Sequence, residues 1–194
     1  MNEVLKNHLD KEFQDSESKV ELYNAINQYT SKFLNNSKQN QNIKLFLTDV
    51  DGVLTDAGMY YTEFGDEFKK FNTRDGKGLE LLRKTGVKTG IITSENTNIV
   101  TNRAKKLKVD FLFQGAGNDK FKIISKLCVE ENISFSEIAY IGDDINDIEL
   151  LSNVGLAACP QNAVDAIKSI RNIHVLISKG GEGAVREFIE RFIL

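Results

Sequence analysis

The chain has 194 residues, 41% hydrophobic and 27% charged, with 25 Lys and Arg against 28 Asp and Glu. A formal charge of −3 gives no electrostatic reason to expect nucleic acid or an anionic membrane surface as partner. No apolar run approaches the roughly 20 residues of a membrane span, and the polar start does not read as a secretory signal, so the expected location is cytoplasmic. Cys128 and Cys159 lack metal-ligand spacing and read as reduced core thiols. His8 and His174 are the only histidines, which leaves a His-based mechanism poorly supplied. His174 lies in an alternating run and reads as structural.

Residues 1–42 are polar and close on the linker-like run Asn35-Asn36-Ser37-Lys38-Gln39-Asn40-Gln41-Asn42. Within them, Ser18 and Glu21 have capping-box spacing ahead of Leu22, Tyr23, Ile26, Tyr29, Phe33 and Leu34 at helical intervals. This predicts a helical N-terminal extension whose apolar stripe packs on its own domain or meets a partner subunit. From residue 43 onward, apolar runs alternate with amphipathic stretches. Strands are predicted at 43–50, 87–93, 111–113, 138–141, 155–158 and 174–177, with helices centred on 79–84, 99–107, 121–129, 148–152, 163–170 and 185–193. The alternation predicts an α/β fold over 43–194, a Rossmann-like doubly wound parallel sheet covered on both faces.

One insert breaks the pattern. Residues 58–71 alternate around a Gly-containing turn, which predicts a β-hairpin flap rich in aromatics. A bare aromatic edge is an aggregation risk, and a second copy of the chain could cover it. The insert is too short for a cap domain. The substrate is therefore small, or a neighbouring subunit supplies the lid.

The chemistry-bearing residues fall at predicted strand ends, where open α/β sheets hold their ligands. Asp49 and Asp51 close the first strand in the run Asp49-Val50-Asp51-Gly52-Val53-Leu54-Thr55, a pattern expected by chance about once in ~50,000 positions. One acid can attack and the other can move a proton. Thr93 ends the second strand and can hold a phosphoryl oxygen. Lys120 opens a helix and offers a cation near the same edge. Asp143, Asp144 and Asp147 follow the strand at 138–141 and suit a hard cation that prefers oxygen ligands.

In this order the four motifs resemble the haloacid dehalogenase superfamily of phosphatases. The resemblance implies that Asp49 is the nucleophile and forms an aspartyl-phosphate, and that Asp51 protonates the leaving oxygen and then activates water. It implies phosphate binding by Thr93 and Lys120, and Mg²⁺ held by Asp49, Asp51 and Asp143 with Asp147 in support. Within the superfamily, the hairpin, Phe71-Asn72-Thr73-Arg74-Asp75-Gly76, Gly142-Asp143-Asp144-Ile145-Asn146-Asp147 and Gly180-Gly181-Glu182-Gly183-Ala184-Val185-Arg186-Glu187 resemble the capless 3-deoxy-D-manno-octulosonate 8-phosphate (KDO 8-phosphate) phosphatases. That family implies a homotetramer in which neighbours roof each site. Arg74, Lys106 and Arg186 are candidate donors to the sugar acid. Arg74-Asp75-Gly76 is similar to the octulosonate enzymes, whereas Glu95 with Lys106 is similar to the branch acting on nine-carbon acids such as KDN 9-phosphate. Two other classes fit a doubly wound sheet carrying acids and a lysine: a receiver-like phosphorylation switch and a domain that mainly oligomerises. Intact Asp49, Asp51, Lys120 and Asp143 favour hydrolysis.

Overall fold

A computed structural model describes residues 42–65 and 67–194. The predicted N-terminal helix, with its capping box and apolar stripe, lies outside the described residues. The remainder is a sheet of six parallel strands, β1 (Leu45–Thr48), β4 (Lys88–Ile92), β5 (Phe111–Phe113), β6 (Ile138–Ile141), β7 (Leu156–Cys159) and β8 (His174–Val175), in the order β5-β4-β1-β6-β7-β8. The helices are α1 (Thr73–Arg83), α2 (Asn98–Leu107), α3 (Lys120–Glu131), α4 (Ile148–Asn153), α5 (Asp165–Lys168) and α6 (Ala184–Phe192).

Strand periodicity explains why both faces are covered. Successive side chains on a strand point to opposite faces, so Phe46, Ile91, Ile141 and Ala158 enter one core while Leu45, Leu47, Ile92, Tyr140 and Cys159 enter the other. The first core is closed by Leu79 and Leu82 of α1, Val100 and Leu107 of α2, and Phe188 and Ile189 of α6. The second is closed by Ile124 and Leu127 of α3, Leu150 and Leu151 of α4, and Ile167 of α5. Phe46 is fully buried with its ring 5.7 Å from that of Phe188, so truncating it to Ala costs about 3–5 kcal/mol.

Local signals set the helix ends. Asn72 caps α1 by accepting the Arg74 N–H, and Thr97 caps α2 by accepting the Val100 N–H. Gly183 gives α6 no side-chain cap, and the buried carboxylate of Asp75 in α1 accepts the Arg186 N–H instead, 2.9 Å away. His174 packs against Phe192 with ring centroids 4.4 Å apart and ring planes tilted by 40°, and Cys128 and Cys159 are free thiols, in keeping with structural roles.

The differences from the expected elements have physical causes. The last strand shrinks from 174–177 to two residues, because beyond Val175 the backbone turns to give the Ile177 and Ser178 N–H groups to Glu187 of α6. The helix expected over 163–170 contracts to Asp165–Lys168. The hairpin is present but short: β2 (Tyr60–Tyr61) pairs antiparallel with β3 (Glu67–Phe68), and a bridge between Thr55 and Phe71 closes its base. Tyr61, Phe64 and Phe68 are exposed on it.

Candidate active site

Sheet register brings the motifs level. Thr48 pairs with Ile91 of β4 on one side and Ile141 of β6 on the other, so Asp49, Thr93 and Asp143, one or two positions further along, emerge together at the carboxyl edge. The order in which strands are added reverses between β1 and β6, because β4 and β5 are laid down on one side of β1 and β6 on the other. That crevice is where doubly wound folds bind ligands. The glycines of the motifs are required by close approach. A Cβ on Gly52 would lie 1.9 Å from Asp143 Oδ2, and one on Gly142 would lie 2.5 Å from Asp147 Cγ.

Lys120 is the first residue of α3 and fully buried. A cation at the positive end of a helix is unfavourable, and here carboxylates offset it. Its Nζ lies 2.9 Å from Asp49 Oδ2 and 2.6 Å from Asp147 Oδ1. Asp49 Oδ1 accepts the Val50 N–H at 2.6 Å, so the carboxylate is held at both ends. Asp147 has no free oxygen: Oδ1 also accepts the Tyr140 hydroxyl, and Oδ2 accepts the Asp143 and Asp144 N–H groups at 3.0 and 3.3 Å. Asp144 caps the short 3₁₀ turn Ile145–Asp147 and forms a capping box with Asp147.

Negative charge is in excess. Burial, then Asp147, pushes the Asp49 carboxyl up to about 7 against the opposing pull of Lys120. Burial, then Asp49 and Asp147, pushes Asp143 up to about 8. Lys120 is raised, since Asp49 and Asp147 outweigh the lowering by burial. One oxygen each from Asp49, Asp143 and Asp147 lie within 4.8 Å of one another, and Asp143 Oδ1 is buried without a hydrogen-bond partner among the described residues. An all-oxygen group with one orphaned, desolvated acceptor fits a hard divalent cation. Asp143 has the open oxygen, Asp49 Oδ2 faces the group while shared with the Lys120 ammonium, and Asp147, saturated by four donors, fixes the surroundings.

Asp51 is held apart from this group. The Lys69 ammonium, from the base of the flap, donates to both Asp51 oxygens at 2.7 and 2.8 Å and to Glu95 Oε2 at 2.5 Å. The structure thus places Glu95 beside Asp51. Thr93 is buried at the end of β4, and its neighbour Ser94 accepts from the Asn146 amide at 2.7 Å, tying two motifs together. Arg74 and Arg186 line a separate groove of about 650 Å³ with Lys77, Glu182 and Arg191. Lys106 is exposed in the last turn of α2, and no hydrogen bond or ion pair joins it to the site among the described residues. Sequence reasoning missed Lys69, Tyr140 and Arg103. Arg103 donates to Asn72 O at 3.0 Å and lies over the Phe71 ring. Tyr140 sits within an apolar strand, and only the Lys69 position, two residues after Glu67 in an alternating hairpin, carried any signal.

Comparison with known proteins completes the assignment. The family model for haloacid dehalogenase-like hydrolases matches residues 6–189. The chain belongs to the haloacid dehalogenase-like hydrolases. The hydrolase is 35% identical over 153 residues to the 3-deoxy-D-manno-octulosonate 8-phosphate phosphatase of Yersinia pestis, covering 79% of this chain and 81% of that one. It superposes with a TM-score of 0.75 and 34% identity on the corresponding Moraxella catarrhalis enzyme in complex with magnesium, phosphate and KDO, covering 79% and 87% of the two chains. The cobalt-bound Haemophilus influenzae enzyme gives a TM-score of 0.72 and 30% identity, covering 79% and 88%. By family, this hydrolase is a phosphomonoesterase.

Proposed function

We propose that this hydrolase removes the terminal phosphate of a 3-deoxy-2-keto sugar acid of the KDO 8-phosphate type, with Mg²⁺ as cofactor. The observation that carries it is the Asp49 carboxylate clamped by buried Lys120 beside the open oxygen of Asp143, at the crevice between β1 and β6. The identity with the octulosonate phosphatases supports the substrate class.

In this reading, Asp49 attacks phosphorus and the P–O bond to the sugar breaks. The leaving oxygen takes a proton from Asp51. Asp51, now ionised, takes a proton from water as that water attacks the aspartyl-phosphate, which releases inorganic phosphate and regenerates Asp49. Two like charges at 4 Å repel by about 4 kcal/mol at an effective dielectric near 20. Lys120 and Thr93 offset part of that repulsion by holding phosphoryl oxygens. Bound Mg²⁺ supplies further positive charge against the phosphate, and Asp49, Asp143 and the main chain of Asp51 would hold it, with Asp147 in support.

Glu95, Arg74, Arg186 and Lys106 are the groups proposed to select the sugar acid. A nine-carbon acid is the second reading, favoured by Glu95 beside Asp51. The exposed flap aromatics support assembly of copies, a homotetramer in this reading, whose neighbours complete the sites. The proposal also divides the chain into a 1–42 extension and a 43–194 catalytic domain, and keeps the cytoplasmic location. No described helix is long and apolar enough to cross a membrane.

Phosphate release from KDO 8-phosphate, KDN 9-phosphate, N-acetylneuraminate 9-phosphate and simple sugar phosphates, with Mg²⁺ and with chelator, tests the reading. Mg²⁺-dependent preference for an octulosonate is the expected result. Preference for a nine-carbon ester selects the second reading, and no turnover of any ester refutes both.

A further inference from the structure

Lys69 is a buried ammonium that the chemistry above does not use. It follows β3 on the flap, between the exposed residues Phe68 and Lys70, yet its own side chain is 1% exposed. An ammonium has three protons, and the short contacts to the two Asp51 oxygens and to Glu95 occupy all three. Glu67 Oε1 stands 3.6 Å away as a further counter-charge. Ordering a lysine side chain costs about 2 kcal/mol of rotamer freedom. A surface hairpin has no need of that cost.

What the contact supplies is direction. The Asp51 side chain is 30% exposed, and its other side-chain partner, the Thr55 hydroxyl, is 3.4 Å away. Asp49 is fixed by a main-chain N–H and by Lys120, whereas among the described residues Lys69 alone holds both oxygens of Asp51. We propose that Lys69 is the positioning residue for proton transfer: it aims the Asp51 carboxyl, which carries the transferred proton on one oxygen while the other keeps its Lys69 contact, at the leaving oxygen and, through Glu95, makes that aim depend on the seated flap. The proposal rests on the reading of Asp51 as proton donor.

Leaving-group dependence tests it. A sugar alkoxide must be protonated as it leaves, whereas p-nitrophenolate leaves without a proton. Alcohol release in the first turnover is measured by rapid quench with KDO 8-phosphate and p-nitrophenyl phosphate, for wild type, Lys69→Met, Lys69→Arg and Asp51→Asn. General acid catalysis contributes about 10²–10⁴-fold, so losing its aim in Lys69→Met is expected to slow the sugar ester roughly 10–100-fold and the aryl ester less than about threefold. Lys69→Arg restores most of the sugar-ester rate. Asp51 and Glu95 reach solvent when the lysine is removed, which favours a folded variant, and Lys69→Gln gives the same readout if Lys69→Met does not fold. Equal losses on both esters mark a structural latch and overturn the proposal, as does an undiminished sugar-ester rate. Selectivity in Asp51→Asn without selectivity in Lys69→Met overturns the role of Lys69 alone. No selectivity in Asp51→Asn overturns the proton-donor assignment beneath it.

Discussion

Two lysine–carboxylate clusters serve the two acids of the Asp-x-Asp motif, and they are built differently. Lys120, Asp49, Asp147 and Tyr140 are each 5% exposed or less: Tyr140 is on β6, Asp49 just beyond β1, Asp147 in the 3₁₀ turn after β6 and Lys120 in the first turn of α3. Lys69 comes just after a two-residue hairpin strand, and its partners Asp51 and Glu95 have side chains 30% and 42% exposed. The same ion pair is therefore part of the core in one case and a rim contact in the other. A buried pair cannot lose a partner without stranding a charge, whereas a rim pair returns its carboxylates to water.

Substitutions can break this contrast. Asp49→Asn removes the attacking oxygen with little change of shape and leaves Lys120 paired with Asp147, so it is expected to lower Mg²⁺-dependent phosphate release by ~10⁴-fold or more while the urea midpoint stays near that of the wild type. Retained activity would refute Asp49 as nucleophile. Lys120→Met leaves Asp49 and Asp147 buried without a cation and should lower stability by about 3–5 kcal/mol in urea unfolding, besides abolishing activity. If Lys120→Met unfolds no more easily than Lys69→Met, expected at about 1 kcal/mol or less, the distinction between core and rim fails.

Asp75 sharpens the comparison, as a buried carboxylate with no lysine. Oδ1 accepts the Arg186 N–H and Oδ2 has no hydrogen-bond partner among the described residues. Burial pushes its carboxyl up to about 6, against lowering by the α6 main chain and by Arg103. Unfolded, it titrates near about 4, so between about 4 and 6 the folded chain holds the proton and the unfolded chain does not. Stability then falls as pH rises through that window, by at most about 3 kcal/mol, and is flat from this group above it. Asp75→Asn should remove that slope in denaturant midpoints across the window. A wild-type curve that rises there would contradict the assignment.

Metal addition is the mildest perturbation. Mg²⁺ at 100 times its dissociation constant should stabilise the folded chain by about 2.7 kcal/mol. Asp143→Asn should weaken that gain in thermal unfolding, whereas Lys69→Met should preserve it. Equal gains in wild type and Asp143→Asn would remove Asp143 from the cation site.

Much of this was legible in the order of residues. Apolar runs located the six sheet strands, because a parallel strand buried on both faces needs unbroken hydrophobicity. The ends of those runs put Asp49, Thr93 and Asp143 at one edge, since the parallel register that aligns Thr48, Ile91 and Ile141 also aligns the positions just beyond them. The interior of the site was less legible. Tyr140 reads as one more apolar strand residue until the fold brings its hydroxyl to Asp147, seven positions on. Asp75 matched a family marker, and the structure spends its carboxylate on the α6 main chain, 111 positions away. Glu95 was read as a group for the sugar, and its carboxylate meets Lys69.

Local pattern thus specified the strands, the motif acids and their shared edge, since periodicity and strand termination are properties of neighbouring residues. Which carboxylate is saturated, which is left open and which is steered by the flap depended on contacts across the chain. Lys69 meets Asp51 over 18 positions and Glu95 over 26, and Lys120 meets Asp147 over 27. Such pairings follow from how packed elements converge, which no run of adjacent residues encodes.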